Sequence, residues 1–182
     1  MRIIGGTHRG RLLKRVGKPT TRETADMVKE SVFNMIGVKL EGKVLDLFAG
    51  SGAYGLESLS RGAEQAYFVD IDKDAVKTIK DNATTLGLQS QSIIIQKDYI
   101  RFLDGLDHAI LFDYIFLDPP YEKKIYVDVI TQLTSHLTPE AYIICESEKK
   151  LVLPDEIQGL MKIKDKTYGI KRISVYKNNV IQ

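Results

Sequence analysis

Hydrophobic and polar positions along this chain switch between two periods, and each switch marks an element. "MRIIGGTHRGRLLKRV" sets two short apolar runs on either side of a glycine-bearing turn, which predicts a basic β-hairpin. In "KPTTRETADMVKESVFNMIG" and just beyond, Val28, Val32, Ile36 and Leu40 recur four apart, as on one face of a helix. Thr20 and Glu23 stand there at capping-box spacing, and Gly37 or Gly42 is placed to end the helix. From Lys43 the pattern becomes strand, helix, strand, helix. "KVLDLFAG", "QAYFVDID", "QSIIIQKD", "DYIFLDPPY" and "AYIICES" are dense apolar runs of strand length. Between them "AYGLESLSRG", "KDAVKTIKDNATTLG", "YIRFLDGL" and "KKIYVDVITQLTSHL" carry helical spacing. The final "GLMKIKDKTYGIKRISVYK" reads as two strands turning at Tyr168-Gly169.

Strands separated by helical segments predict an α/β fold. The expectation is a Rossmann-like, mostly parallel seven-stranded sheet with right-handed crossovers, ending in a C-terminal antiparallel hairpin. Residues 1–42 would form an N-terminal basic hairpin and helix, and residues 43–182 the sheet domain. Ligands of such sheets bind beyond the carboxyl ends of the strands, where the strand order reverses.

Composition narrows the class. A chain of 182 residues is one domain or one domain with a small appendage, and 43% hydrophobic with 27% charged is ordinary for a globular protein. Cys145, the single cysteine, lies in an apolar strand and reads as a core residue. His8, His108 and His136 lack partners at ligand spacing, so no metal site is expected. No apolar signal segment or membrane-length run is present, and a cytoplasmic protein is expected. Net charge is only +2, yet Arg2, Arg9, Arg11, Lys14, Arg15, Lys18 and Arg22 all precede the first acid, Glu23. That excess suits a polyanion, or a solvated basic face; charge alone leaves both open.

The candidate chemistry begins in "LDLFAGSGAYG", which contains a literal G-x-G-x-x-G after a predicted strand. Gly50, Gly52 and Gly55 permit a tight turn and close approach of a ligand, and Asp70 ends the next strand where ribose hydroxyls would lie. Both features suit a dinucleotide and S-adenosylmethionine equally. Asp46, four residues before Gly50, separates them. Like charges about 5 Å apart at an effective dielectric of about 20 repel by about 3 kcal/mol, so a carboxylate at the lip of the loop disfavours a diphosphate. It favours the ammonium and sulfonium of S-adenosylmethionine. The alternative for Asp46 is a residue that holds loop amides. Asp98 is placed to accept from an adenine amino group with Tyr99 beside the ring, or to cap the next helix.

"LDPPY" ends the fourth strand. The lone pair of an exocyclic amine on a base is delocalised into the ring. Two acceptors, the Asp118 carboxylate and the Pro119 carbonyl, would favour pyramidalisation and aim that lone pair. Pro119 and Pro120 fix φ and remove donors, and Tyr121 offers a face for an extruded base. A rigid turn with a packed tyrosine is the plainer reading of the isolated motif.

Together "DLFAGSG", "FVDID", "KD" and "DPPY" resemble the successive motifs of class I S-adenosylmethionine-dependent amino-methyltransferases. "RIIGGTHRGRLL", "KPTT…VKESVFNMI" and "DLFAGSGAYGLESLSRGA" more narrowly resemble the bacterial 16S ribosomal RNA guanine-N2 methyltransferases, the RsmD family. The resemblance implies that Asp46, Phe48, Gly50 and Gly52 hold the methionine part of the cofactor, Asp70 the ribose and Asp98 the adenine. Ile71 and Tyr99 complete the cofactor set. Asp118, Pro119, Pro120 and Tyr121 would hold the target amine, and Arg2, Arg9, Arg11, Lys14 and Arg22 would face RNA. It implies as partner 16S rRNA, in a partly or fully assembled small subunit, with a monomer as the default and no membrane. Lys18 stands where the family has arginine, Arg22 to Ala25 are inserted before Asp26, and Tyr54 is bulkier than the pattern, so a narrower cofactor entrance is expected.

Adenine N6 makes the same demand on Asp118 as guanine N2, so a DNA or other RNA amino-methyltransferase is the alternative. A dinucleotide oxidoreductase lacks a hydride-transfer partner among the histidines, a protein glutamine methyltransferase would more typically carry Asn at position 118, and a non-catalytic RNA-binding module leaves "DPPY" unexplained.

Overall fold

A computed structural model describes residues 1–17, 22–120 and 123–178; the side chains at 22–24 and 123 lie outside that description. Outside it too fall the Thr20–Glu23 capping box, the Arg22 side chain and Tyr121. Five strands, β1 (Lys43–Leu47), β2 (Gln65–Asp70), β3 (Ser92–Gln96), β4 (Phe112–Leu117) and β5 (Leu137–Glu148), run parallel. Strand β8 (Lys171–Lys177) pairs antiparallel with β5, β7 (Leu160–Tyr168) pairs antiparallel with β8, and the two-residue β6 (Glu156–Ile157) finishes the edge. The order β3-β2-β1-β4-β5-β8-β7-β6 reverses between β1 and β4. The sheet thus has eight strands where the sequence suggests seven, because a pair of residues is too short to show a period.

Helices cover both faces, which is why β1 reads as a continuous apolar run. Val44, Phe68, Phe116, Ile144 and Val175 face the side covered by α1 (Arg22–Ile36), α2 (Ala53–Ser60) and α3 (Lys73–Leu86). Leu45, Leu47, Val69, Ile115 and Cys145 face the other, under α4 (Tyr99–Asp104) and α5 (Lys123–Leu133). Cys145 is fully buried there, and burial pushes its thiol pKa up, away from reactivity. Helix ends follow local chemistry. Asp72 caps α3 by accepting from the Asp74 N–H at 2.8 Å. Gly55 sits where an added Cβ would come within 2.2 Å of the Phe68 ring, so the third glycine of the loop sets how closely α2 lies on β2.

The N-terminal segment differs from a regular hairpin. Only Arg2 and Leu12 form a bridge, and a 3-10 turn at Gly6–His8 joins the two sides. Helix α1 ends at Ile36 with Gly37 following, so Leu40 is buried from a loop rather than from the helix face. Arg22 to Ala25 form the first residues of α1.

Candidate active site

Strand β1 delivers the chain into a turn at Phe48, whose φ of 67° is a left-handed conformation costing a non-glycine residue about 1 kcal/mol or more. Its ring packs on Tyr99 with centroids 5.1 Å apart. Gly52, at φ 80°, then starts α2 and supplies no side-chain cap to the first helical N–H groups. Asp46 does so from outside: its Oδ2 accepts from the Gly55 N–H at 3.0 Å. Asp70 holds the same turn from β2, accepting from the Gly50 N–H at 2.8 Å and the Asp72 N–H at 2.9 Å. Asp46 is therefore beneath the loop, 3% exposed, rather than at its lip. The reason is strand alternation. Asp46 points opposite to Leu45 and Leu47, toward the uncapped end of α2.

The carboxylates converge across the reversal point. Burial raises the Asp46 pKa well above the usual range, the Gly55 N–H opposes this, and the charges of Asp118 and Asp70 add to it. Close packing of the β4 end and repulsion from Glu146 raise Asp118 from an ordinary 3.8 to about 7, with Lys171 opposing. Asp118 is exposed on its cleft side, where solvent screens part of this repulsion. A diphosphate brought beside these acids would add to the repulsion that already raises them. We expect methyl transfer to fall about tenfold per pH unit below about 7, because an acceptor with a raised pKa is protonated and lost as pH falls. A pH profile of kcat/KM checks this, and a flat profile from pH 5.5 to 8 contradicts it.

Asp98 caps α4, accepting from the Ile100 N–H at 2.9 Å through Oδ1. Ile71 is exposed and Tyr99 half-buried at the ends of β2 and β3. Pro119 is buried and Pro120 exposed. Tyr54 does not narrow the glycine loop. Its ring stacks on Phe116 at 4.8 Å and its hydroxyl donates to Glu146 Oε2 at 2.7 Å, directing its bulk across the sheet toward β5. Two further groups, Glu146 and Lys171, stand at this edge outside the motifs read from the sequence and form an ion pair at 3.5 Å. A signal existed: Tyr142, Ile144 and Glu146 alternate on the sheet face that Asp118 shares, and a charge at a strand's carboxyl end stands out.

The N-terminal cations lie beside this site. Met1 meets Ser51 of the glycine turn, and Asn82 bonds both the Ser51 and Lys14 carbonyls. Arg9 is exposed, Arg11 donates to the Thr85 carbonyl, Arg2 pairs with Asp26 and Lys14 with Asp81. Such exposed pairs hold by about 1 kcal/mol or less, which a phosphate can displace. Among the described residues no grouping of His, Cys, Asp and Glu could hold a metal, and no helix is long and apolar enough to cross a membrane.

A family model described as "Conserved hypothetical protein 95" matches residues 1–177. The chain belongs to that family. YlbH of Bacillus subtilis is 40% identical over 97% of this chain and 98% of its own. The ribosomal RNA small subunit methyltransferase D of Haemophilus influenzae is 35% identical over 98% of this chain and 94% of its own. The solved structure of yhhF from Escherichia coli is 31% identical, with a TM-score of 0.83 over 100% of this chain and 99% of that one. The fold is that of the class I methyltransferases.

Proposed function

We propose that this family member is an rRNA methyltransferase that modifies the exocyclic N2 amine of a guanine in small-subunit rRNA, with S-adenosylmethionine as methyl donor. One observation carries the reading: Asp46, Asp70 and Asp118 gather at the strand reversal around a glycine turn, with Asp118-Pro119-Pro120 beside it. The names of the relatives support the rRNA substrate.

When bound, S-adenosylmethionine supplies an electrophilic methyl group on a sulfonium. Gly50 and Gly52 leave backbone room for its methionine part, Phe48 flanks it, and Asp46 holds the turn that receives it. Asp70 and Ile71 meet the ribose side; Asp98 and Tyr99 meet the adenine. Asp118 and the Pro119 carbonyl accept from the two hydrogens of the target amine, and Asp118 is placed to take the proton that the amine sheds. The substrate in this reading is 16S rRNA in a partly or fully assembled small subunit, bound by a cytoplasmic monomer. Residues 1–42 act as the RNA-facing extension and 43–182 as the catalytic domain.

The test is to incubate the protein with tritiated S-adenosylmethionine and small subunits lacking modification, then map the labelled base. Label on a guanine N2 supports the reading; label on adenine, or none, overturns it. Replacing Arg9 and Arg11 together should weaken RNA binding and flatten its salt dependence by about two units of log–log slope at most. An unchanged slope removes them from the interface.

A further inference from the structure

Which base the site accepts is decided beyond Asp118, because both guanine N2 and adenine N6 present two amine hydrogens. What distinguishes the bases is the next position along the edge. Guanine offers N2–H, then the N1–H donor, then the O6 acceptor. Adenine offers N6–H, then an N1 acceptor, then C2–H, which bonds nothing strongly.

The sheet presents a matching series. Moving along one edge of the sheet, from the carboxyl ends of β4 and β5 to the amino end of the antiparallel β8, the groups on the α1 and α2 face are Asp118, Glu146 and Lys171. These are acceptor, acceptor and donor. Glu146 is built in place from several sides. Tyr54 donates to its Oε2 at 2.7 Å, Lys171 pairs with its Oε1 at 3.5 Å, and Tyr126 donates to its backbone carbonyl at 2.6 Å. Its side chain is 15% exposed and that of Lys171 is 38% exposed, so both are open to a ligand while held by the protein. A carboxylate has about four lone-pair sites, and these two bonds leave capacity for a third partner.

We propose that Glu146 and Lys171 read the target base, Glu146 accepting from guanine N1–H and Lys171 donating to O6. Tyr54 acts as the positioning residue that fixes the Glu146 rotamer. The inference rests on the rRNA methyltransferase reading above and names the groups that select the base. An adenine placed with its amine on Asp118 would set its N1 lone pair against the Glu146 carboxylate and leave Lys171 without an acceptor. Glu146 and Lys171 both act on the charge of Asp118, the first raising and the second lowering its pKa, as neighbours along one sheet edge do.

The experiment uses rRNA fragments carrying either guanine or 2-aminopurine at the mapped target position. 2-Aminopurine keeps the N2 amine, replaces N1–H with an acceptor and lacks O6. Wild-type protein should prefer guanine by about 100-fold or more in kcat/KM, since a site built to bond a polar edge rejects the analogue that lacks it. Glu146→Gln should lower guanine kcat/KM by about 10- to 100-fold and shrink that preference by at least tenfold, because its amide can donate to the analogue's N1. Lys171→Met, at a more exposed position and assayed well above the Asp118 titration near 7 so that loss of the opposing charge does not leave that acid protonated, should lower guanine kcat/KM several-fold more than that of 2-aminopurine. If Glu146→Gln and Lys171→Met reduce both substrates equally, the groups support the fold and the proposal falls. If wild-type protein transfers no methyl group to any rRNA guanine, the functional reading falls, and this inference with it.

Discussion

Replacing Asp118 by alanine cuts methyl transfer to rRNA by about 10²- to 10³-fold in kcat, the scale seen when a single preorganised polar group facing developing charge is removed. Binding of S-adenosylhomocysteine, followed by calorimetry, stays near the wild-type level. The separation follows from the layout. The cofactor turn is held by Asp46 and Asp70 from β1 and β2, whereas Asp118 ends β4 on the far side of the reversal, and no side chain among the described residues donates a hydrogen bond to it. Asp118→Asn keeps an acceptor oxygen but no proton-accepting charge, so its residual activity should lose the acidic limb near pH 7. The same substitution should raise thermal stability at neutral pH. The folded-state pKa is raised from 3.8 to about 7, so the folded chain binds the extra proton in that window and the cost of ionising Asp118 grows as pH rises through it. Full activity in Asp118→Ala would remove this residue from the chemistry.

The elements were legible in the sequence because strands buried on both faces make dense apolar runs and helices between them keep their spacing. The glycine turn was legible for the same reason: three glycines after a strand demand a special backbone, and Gly52 and Gly55 have the left-handed φ and the close helix–strand approach that explain them. The direction of Asp46 was not. Strand position gives the face a residue occupies, but the partner of Asp46 depended on α2 beginning at a glycine and lacking its own cap. Glu146 takes its meaning from Asp118 after β4 and Lys171 at the start of β8, which lie 28 and 25 positions from it in sequence and become its neighbours only in the assembled sheet, a separation that no local window of about 11 to 18 residues spans. The Tyr54 expectation failed through direction too. Residue size alone does not give the direction of a side chain, and this ring lies flat on Phe116.

The largest stability effect is expected at Glu57, a residue absent from the chemistry. Its side chain is fully buried, and it collects donors from three segments. The Ile4 N–H and Gly5 N–H come from the N-terminal segment at 3.0 and 2.9 Å, Lys29 from α1 at 3.1 Å, and Arg61 from the end of α2 at 2.8 Å. The Arg61 guanidinium also lies 4.6 Å from the Phe33 ring centre. Glu57→Gln leaves two buried cations without their counter-charge, and loss of one partner from a buried pair costs about 3–5 kcal/mol. For a chain of this size that corresponds to a drop of about 6–20 °C in Tm. The pH dependence identifies the cause. Burial lowers the Lys29 pKa from 10.5, so the folded chain sheds that proton before the unfolded one, and stability gains as pH rises through the window between the two values. Removing Glu57 takes away the charge that opposes this lowering, so the window widens and the deficit of Glu57→Gln should narrow between pH 7 and 10. Denaturant melts across that range make the measurement; a deficit independent of pH would place the loss in packing rather than in the stranded ammonium. Because the same carboxylate fastens the segment bearing Arg2, Arg9 and Arg11, the variant should also bind RNA more weakly at temperatures where its sheet remains folded.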